Sequence, residues 1–171
     1  MRAGLAAVAA LGILTGCETF SFFKSEKESR WVISFHLQAR EKDGENLSVT
    51  RVRSLDNDES YLIRRLPLSD SRHILIGEPV KKDGKVAAVT FTVDPHQRLK
   101  WLAITTEYGG RQVAVCLDGY FRFLWRVPHH FDNETCEITV EGPWDSREAE
   151  LVCEWAPANY TYWKSSPAFG R

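Results

Sequence analysis

The chain has 171 residues, 22 Lys and Arg against 23 Asp and Glu, a formal net charge of −1 and 43% apolar residues. That is one domain's worth of chain, with enough apolar side chains for a real core. The balanced charge argues against nucleic acid as a partner, because such binding needs a basic excess. Only one apolar run, near the start, approaches the length that a membrane helix requires.

Residues 1–16 open with Arg2, continue as an apolar run from Leu5 to Leu14 and end in small residues. This is the layout of a secretory signal, and the run falls short of the roughly 20 residues needed to span a bilayer. The run ends Leu14-Thr15-Gly16-Cys17, which resembles the lipobox of bacterial lipoproteins. The resemblance implies that Cys17 is lipidated and becomes the first residue of the mature chain. The mature protein would then be a membrane-anchored lipoprotein of the cell envelope, facing the periplasm. Stable anchoring takes more than one acyl chain. Glu18, rather than Asp, follows the cysteine, which in this family points to the outer membrane rather than the inner. Residues 17–30 read as the lipidated Cys and a charged, flexible tether, with Phe20, Phe22 and Phe23 beside the anchor.

From Trp31 the pattern changes. "WVISFHLQ" alternates strictly, with Trp31, Ile33, Phe35 and Leu37 on one face, and predicts a half-buried strand. "LSVTRVRSL" and "SYLIRRL" predict two further extended segments. "HILIGEPV" and "VAAVTFTV" flank Asp83-Gly84, a pair suited to a type I′ hairpin turn, in which both central residues need positive φ. The second of these strands is expected to place Ala87, Val89, Phe91 and Val93 on one face.

Asp94 and Pro95 then mark a helix start. Leu99, Leu102, Ala103 and Thr106 form its expected buried stripe, and Gly109 and Gly110 end it. "RQVAVCL" and "YFRFLWRV" are joined by Asp118-Gly119, the strongest hairpin signal in the chain. Phe121, Phe123, Trp125 and Val127 share a face of its second strand, which reads as core, and Arg122 and Arg126 take the solvent side as a candidate partner surface. A strand is expected over Thr135 to Glu141. A second helix follows in "DSREAELVCEWA", where Asp145 and Glu148 make a variant of the capping box. Its buried stripe is Ala149, Val152, Cys153 and Trp155 or Ala156. Residues 157–171 are a tail that either packs back or stays loose. The order of elements predicts an α+β fold with a mainly antiparallel sheet and two helices packed on one face, in the ferredoxin-like manner.

Little in the sequence suggests catalysis. There is no Gly-x-Ser-x-Gly, no His-Glu-x-x-His and no phosphate loop. The best metal candidate is His129, His130 and Asp132, joined by His36. Neighbouring residues on an extended chain point opposite ways, so His129 and His130 read better as a polar loop. Cys116, Cys136 and Cys153 are an odd number, so at least one is unpaired even if an oxidising compartment closes a disulfide. All three also fit as small buried apolar residues. No enzyme activity, metal or cofactor is expected.

The stretch "AITTEYGGRQVAVCLDGYFRF … CEITVEGPWDSREAELV" resembles the first periplasmic domain, or head, of SecD, an accessory subunit of the bacterial Sec protein-export machine. The family pattern falls on Thr105 or Thr106, Gly110, Ala114, Leu117, Asp118 and Gly119, and then on Ile138, Gly142, Trp144, Asp145, Glu148, Ala149 and Val152. The segment around Pro67 also resembles the family. The likeness is strongest over residues 60–156 of a head-like domain at 31–156. Where the family usually has a Pro, this chain has Trp125, and its Pro comes later, at Pro128. SecD also has transmembrane helices that use the proton gradient, whereas this sequence has no such run. The resemblance implies a protein-binding head with Sec components or exported polypeptides as partners, and no proton-driven motor. The alternatives are a metal-binding or hydrolytic envelope lipoprotein built on His129, His130 and Asp132, and a purely structural lipoprotein.

Overall fold

The computed structural model describes residues 29–54 and 58–165. The leader, Cys17, the tether with its three Phe residues, and Phe169 lie outside the described residues. The rest folds as α+β, with every strand pairing antiparallel.

The strands form three sheets. The first has four strands in the order β4 (Ser69–Asp70), β1 (Ile33–Leu37), β7 (Gln112–Leu117) and β8 (Tyr120–Arg126). A separate hairpin pairs β2 (Val49–Arg53) with β3 (Ser60–Arg64). The third sheet orders β5 (Ile74–Lys82), β6 (Lys85–Val93) and β9 (Glu137–Glu141). Both predicted hairpin turns carry positive φ at their two central residues, at Asp83-Gly84 and at Asp118-Gly119. The last strand starts at Glu137, two residues later than expected, because Cys136 takes a left-handed φ of 55° that breaks the extended run.

One cluster forms the main core. It joins Ile33, Phe35 and Leu37 of β1 and Val113 and Val115 of β7 to Val89 and Phe91 of β6 and Ile138 and Val140 of β9. The reverse face of the four-stranded sheet is apolar too. Ala114, Cys116 and Phe121 are covered there by Ile63 from the β2–β3 hairpin. This explains why β7 reads as a nearly unbroken apolar run, since it is buried on both sides.

Two bulges overturn predicted faces. Cys116 pairs with Phe121 while Val115 pairs with Phe123, so β8 carries an extra residue at Arg122. A one-residue slip reverses every side chain beyond it. Phe123, Trp125 and Val127 therefore enter the main core, and Phe121 lies in the second cluster instead of in row with them. The same device in β6, where Val80 pairs with Ala88 and Lys81 with Val86, leaves Ala87 exposed and buries Val86.

Helix α1 (Arg98–Tyr108) starts later than expected. Asp94 accepts the His96 N–H at 2.9 Å and caps a 3-10 turn at Pro95–Gln97, after which the α-helix begins. Its buried side chains are Trp101, Ile104 and Thr105, so the predicted stripe of Leu99, Leu102, Ala103 and Thr106 faces outward. The tryptophan decides the rotation. Trp101 lies edge-on to Phe35 at 5.7 Å and near-parallel to Phe131 at 6.4 Å. It buries more apolar surface than any leucine can, and its i+3 and i+4 neighbours follow it inward.

Helix α2 (Ser146–Ser165) packs over β5, with Cys153 against Gly77. Asp145 caps it as predicted, accepting the Arg147 and Glu148 N–H groups at 2.9 and 3.1 Å. The helix continues through Pro157, so residues 157–165 are not a tail but its last turns. The proline removes one N–H, a local loss that tertiary contacts offset. Asn159 is fully buried, the Tyr160 hydroxyl donates to Asp94 at 2.6 Å and Lys164 pairs with Asp94 at 3.0 Å.

Candidate functional site

The predicted motif residues turn out to hold the fold together. Asp118 sits at the β7–β8 turn with φ 48°. Its carboxylate accepts the Val32 N–H at 2.8 Å and the Trp31 N–H at 3.2 Å, and its own N–H donates to the Val32 carbonyl at 2.8 Å. The turn thus clamps the chain where it enters β1. Gly119, with φ 83°, completes the turn. Gly110 has φ 76°, and the ring of His129 lies over it so closely that an added Cβ would meet ring atoms at 2.9 Å. Gly142 leaves room for the Phe123 ring, which Trp144 meets edge-on at 5.1 Å. Ala149 is fully buried in the core.

Arg122 and Arg126 do not form one free surface. Arg122, at the bulge, donates to Glu148 at 2.7 Å, and the two side chains are only 20% and 24% exposed. This pair ties α2 to β8. Arg126 is exposed, and its guanidinium donates to the Gly110 carbonyl at 3.2 Å.

His129, His130 and Asp132 are not brought together as a metal site. His129 packs on Gly109 and Gly110, His130 is exposed, and Asp132 accepts the N–H groups of Glu134 and Thr135 within its own turn. His36 points elsewhere, with Nδ1 at 2.8 Å from the Arg64 carbonyl and Nε2 at 2.9 Å from Ser34 Oγ. Among the described residues no group of three metal-ligating side chains occurs. The three cysteines described are free thiols. Burial pushes Cys116 up to about 12 and Cys153 up to about 11, so neither is poised as a thiolate.

A concavity lies where no motif pointed. At the end of β1 away from the Asp118 clamp, three segments enclose a cleft of about 1030 Å³. They are the chain leaving β1, the end of β3 with its following loop, and the C-terminal turn of α1. Five basic residues line it, Arg40, Lys42, Arg64, Arg65 and Arg111, against two acids, Asp43 and Glu107. Both acids are engaged. Asp43 accepts the Arg40 N–H at 3.1 Å, and the neighbouring Glu107 holds the Tyr108 phenol above its ordinary value. Among the described residues none of the five cations forms an ion pair, and Arg111 lies over the Tyr108 ring at 5.6 Å. Leu37 and Leu68 contribute apolar surface inside, while Leu66 and Leu47 stand 82% and 99% exposed at the rim. The arrangement offers unneutralised positive charge next to exposed leucine, in a concave shape. The signal for it was present in Arg64-Arg65-Leu66, but the partners come from segments far apart in sequence.

Neither a family model nor a curated protein matches the chain. Solved structures do share its fold. One is described as a membrane component, SecDF, that enhances protein export. It aligns at 14% identity and a TM-score of 0.51 over 76% of this chain and 63% of its own. Another, SecDF in a super-membrane-facing form, aligns at 16% identity and a TM-score of 0.52 over 76% of this chain and 19% of its own. The chain therefore spans less than two thirds of the first and about a fifth of the second. At these identities the likeness is one of fold, and the fold is the SecD-like α+β architecture expected from the sequence. Among the described residues no helix is long and apolar enough to cross a membrane.

Proposed function

We propose that this chain is a non-catalytic, lipid-anchored module of the cell envelope that binds polypeptide and assists protein export or envelope assembly. The observation that carries the reading is the fold likeness to SecDF, over three quarters of the chain. It agrees with the family-like residues Gly110, Asp118, Gly119, Gly142, Glu148 and Ala149, each of which occupies a position where its chemistry supports that fold. Anchoring rests on the lipobox-like Leu14-Thr15-Gly16-Cys17, with lipid chains at Cys17 holding the domain at the membrane facing the periplasm, at the outer membrane rather than the inner.

The test has two arms. Mass spectrometry of the purified protein should find acyl chains on Cys17, and Cys17→Ser should release the protein from the membrane fraction. In cells, a photo-crosslinking amino acid at Arg126 and at Leu66 should capture Sec components or many unrelated exported chains. Capture of one reproducible envelope protein would assign the module to assembly instead. No capture from either position would make it a structural lipoprotein and sink the proposal.

A further inference from the structure

We propose that the basic cleft between β1, β3 and α1 holds an extended polypeptide segment in which acidic residues alternate with apolar ones. This rests on the protein-binding reading above and deepens it, because it names a face and a class of ligand.

Three observations select that occupant. The first is charge. Among the described residues, Arg40, Lys42, Arg64, Arg65 and Arg111 stand without ion pairs, in a chain whose overall net charge is −1. Some cations outside the cleft are neutralised, as in Arg122–Glu148 and Arg72–Asp70. Unpaired like charges crowded round one concavity repel each other, and an anionic occupant relieves that repulsion while it is steered in.

The second is the apolar component. Leu47 and Leu66 are almost fully exposed at the rim, and Leu37 and Leu68 lie within. An inorganic anion or a simple carboxylate leaves these leucines in water, whereas a chain with apolar side chains between its acids covers them.

The third is shape and place. A volume of about 1030 Å³ reaches the upper end of the range for small-molecule sites, roughly 300–1,000 Å³. A bilayer surface is flat and cannot enter such a concavity. The cleft also lies at the opposite end of β1 from Trp31 and Val32, where Asp118 clamps the incoming chain.

The experiment is fluorescence anisotropy on the full-length protein with a labelled peptide of alternating Leu and Glu. Its controls are the same peptide with Lys for Glu and with Ser for Leu. The Leu/Glu peptide should bind, and the two controls should bind at least about tenfold more weakly. Binding should weaken several-fold between about 50 and 300 mM salt. The double variant Arg64→Glu/Arg65→Glu should lose at least about tenfold in affinity, and Leu66→Ser should lose a smaller factor. All three side chains are exposed, and an unchanged melting temperature confirms that each variant is folded. If the peptide binds but the double variant binds it equally well, the cleft assignment falls and the protein-binding reading stands. If none of the peptides binds, and a reduced, unfolded protein does not bind either, both fall. If only vesicles containing phosphatidylglycerol bind, with the same dependence on Arg64 and Arg65, the cleft is a lipid site and the proposal is overturned.

Discussion

Asn159 holds the backbone of Arg30 with both ends of its side-chain amide. Its Oδ1 accepts the Arg30 N–H at 3.1 Å and its Nδ2 donates to the Arg30 carbonyl at 2.8 Å. The two residues are 129 positions apart, and Asn159 is fully buried. Replacing it with Ala removes both hydrogen bonds and a fully buried side chain, at a cost of about 1–3 kcal/mol. Urea unfolding of Asn159→Ala should show a lower midpoint at unchanged slope. An unchanged midpoint would mean that this contact does not hold the chain's start.

Asp94 makes the fold acid-sensitive. Burial pushes its carboxyl up, but hydrogen bonds from Tyr160, the His96 N–H and Lys164 outweigh that and hold it at about 2, against 3.8 when free. A carboxyl with a lowered folded-state value stabilises the fold above about pH 4, and this contribution is lost as pH falls from about 4 towards 2. It amounts to about 1–2 kcal/mol, once discounted for the half-exposed Lys164. His36, which burial lowers, acts in the same direction below about pH 6.5. Tyr160→Phe should flatten the acid limb of a stability–pH curve between about pH 4 and 2 and leave the His36 region alone. An unaltered acid limb would remove Asp94 as its cause.

Arg122 and Glu148 should couple across β8 and α2. Their guanidinium–carboxylate contact at 2.7 Å is largely shielded from water. A double-mutant cycle with Arg122→Ala and Glu148→Ala should give about 0.5–1.5 kcal/mol of coupling, above the usual surface pair. A value near zero would return Arg122 to the list of free surface cations.

Gly142 and Gly110 should tolerate alanine poorly, for different reasons. At Gly142 the methyl group meets the Phe123 ring, which is fixed between the glycine and Trp144, so overpacking should cost about 1–3 kcal/mol. At Gly110 the φ of 76° adds about 1–2 kcal/mol of backbone strain to contact with His129. Thermal unfolding of the two variants checks this, and shortening Phe123 to Leu should partly rescue only Gly142→Ala.

Local patterns were legible and long-range ones were not. Asp83-Gly84 and Asp118-Gly119 require positive φ, which few residues accept, so both turns could be read directly. The alternation of Ile33, Phe35 and Leu37 was also legible, because β1 carries no bulge and its period of two runs unbroken. The faces of β6 and β8 failed beyond Ala87 and Arg122, because a bulge is set by the partner strand and leaves no mark in the alternation. The face of α1 differs from its expected stripe because one Trp outweighs four residues of moderate size. Pro157 was read as an end, but contacts from Asn159, Tyr160 and Lys164 overrode it. Of the candidate site, the SecD-like scaffold was visible, and the basic cleft was not. Its cations arrive from three segments that only the tertiary structure brings together.

The position of β1 has a bearing on how the chain reaches this state. The first strand is an inner one, flanked by β4 and β7, and Ile33 pairs with Leu117. The residues leading into it are held by Asp118 and by Asn159, near the other end of the described chain. A chain that emerges N-terminus first must therefore keep the β7-facing edge of an apolar strand unpaired until most of the polypeptide has followed. Contacts so distant in sequence slow folding and lengthen the time during which that strand is exposed. A protein delivered across a membrane would meet its compartment in this open form, and its earliest residues would be among the last to find their places.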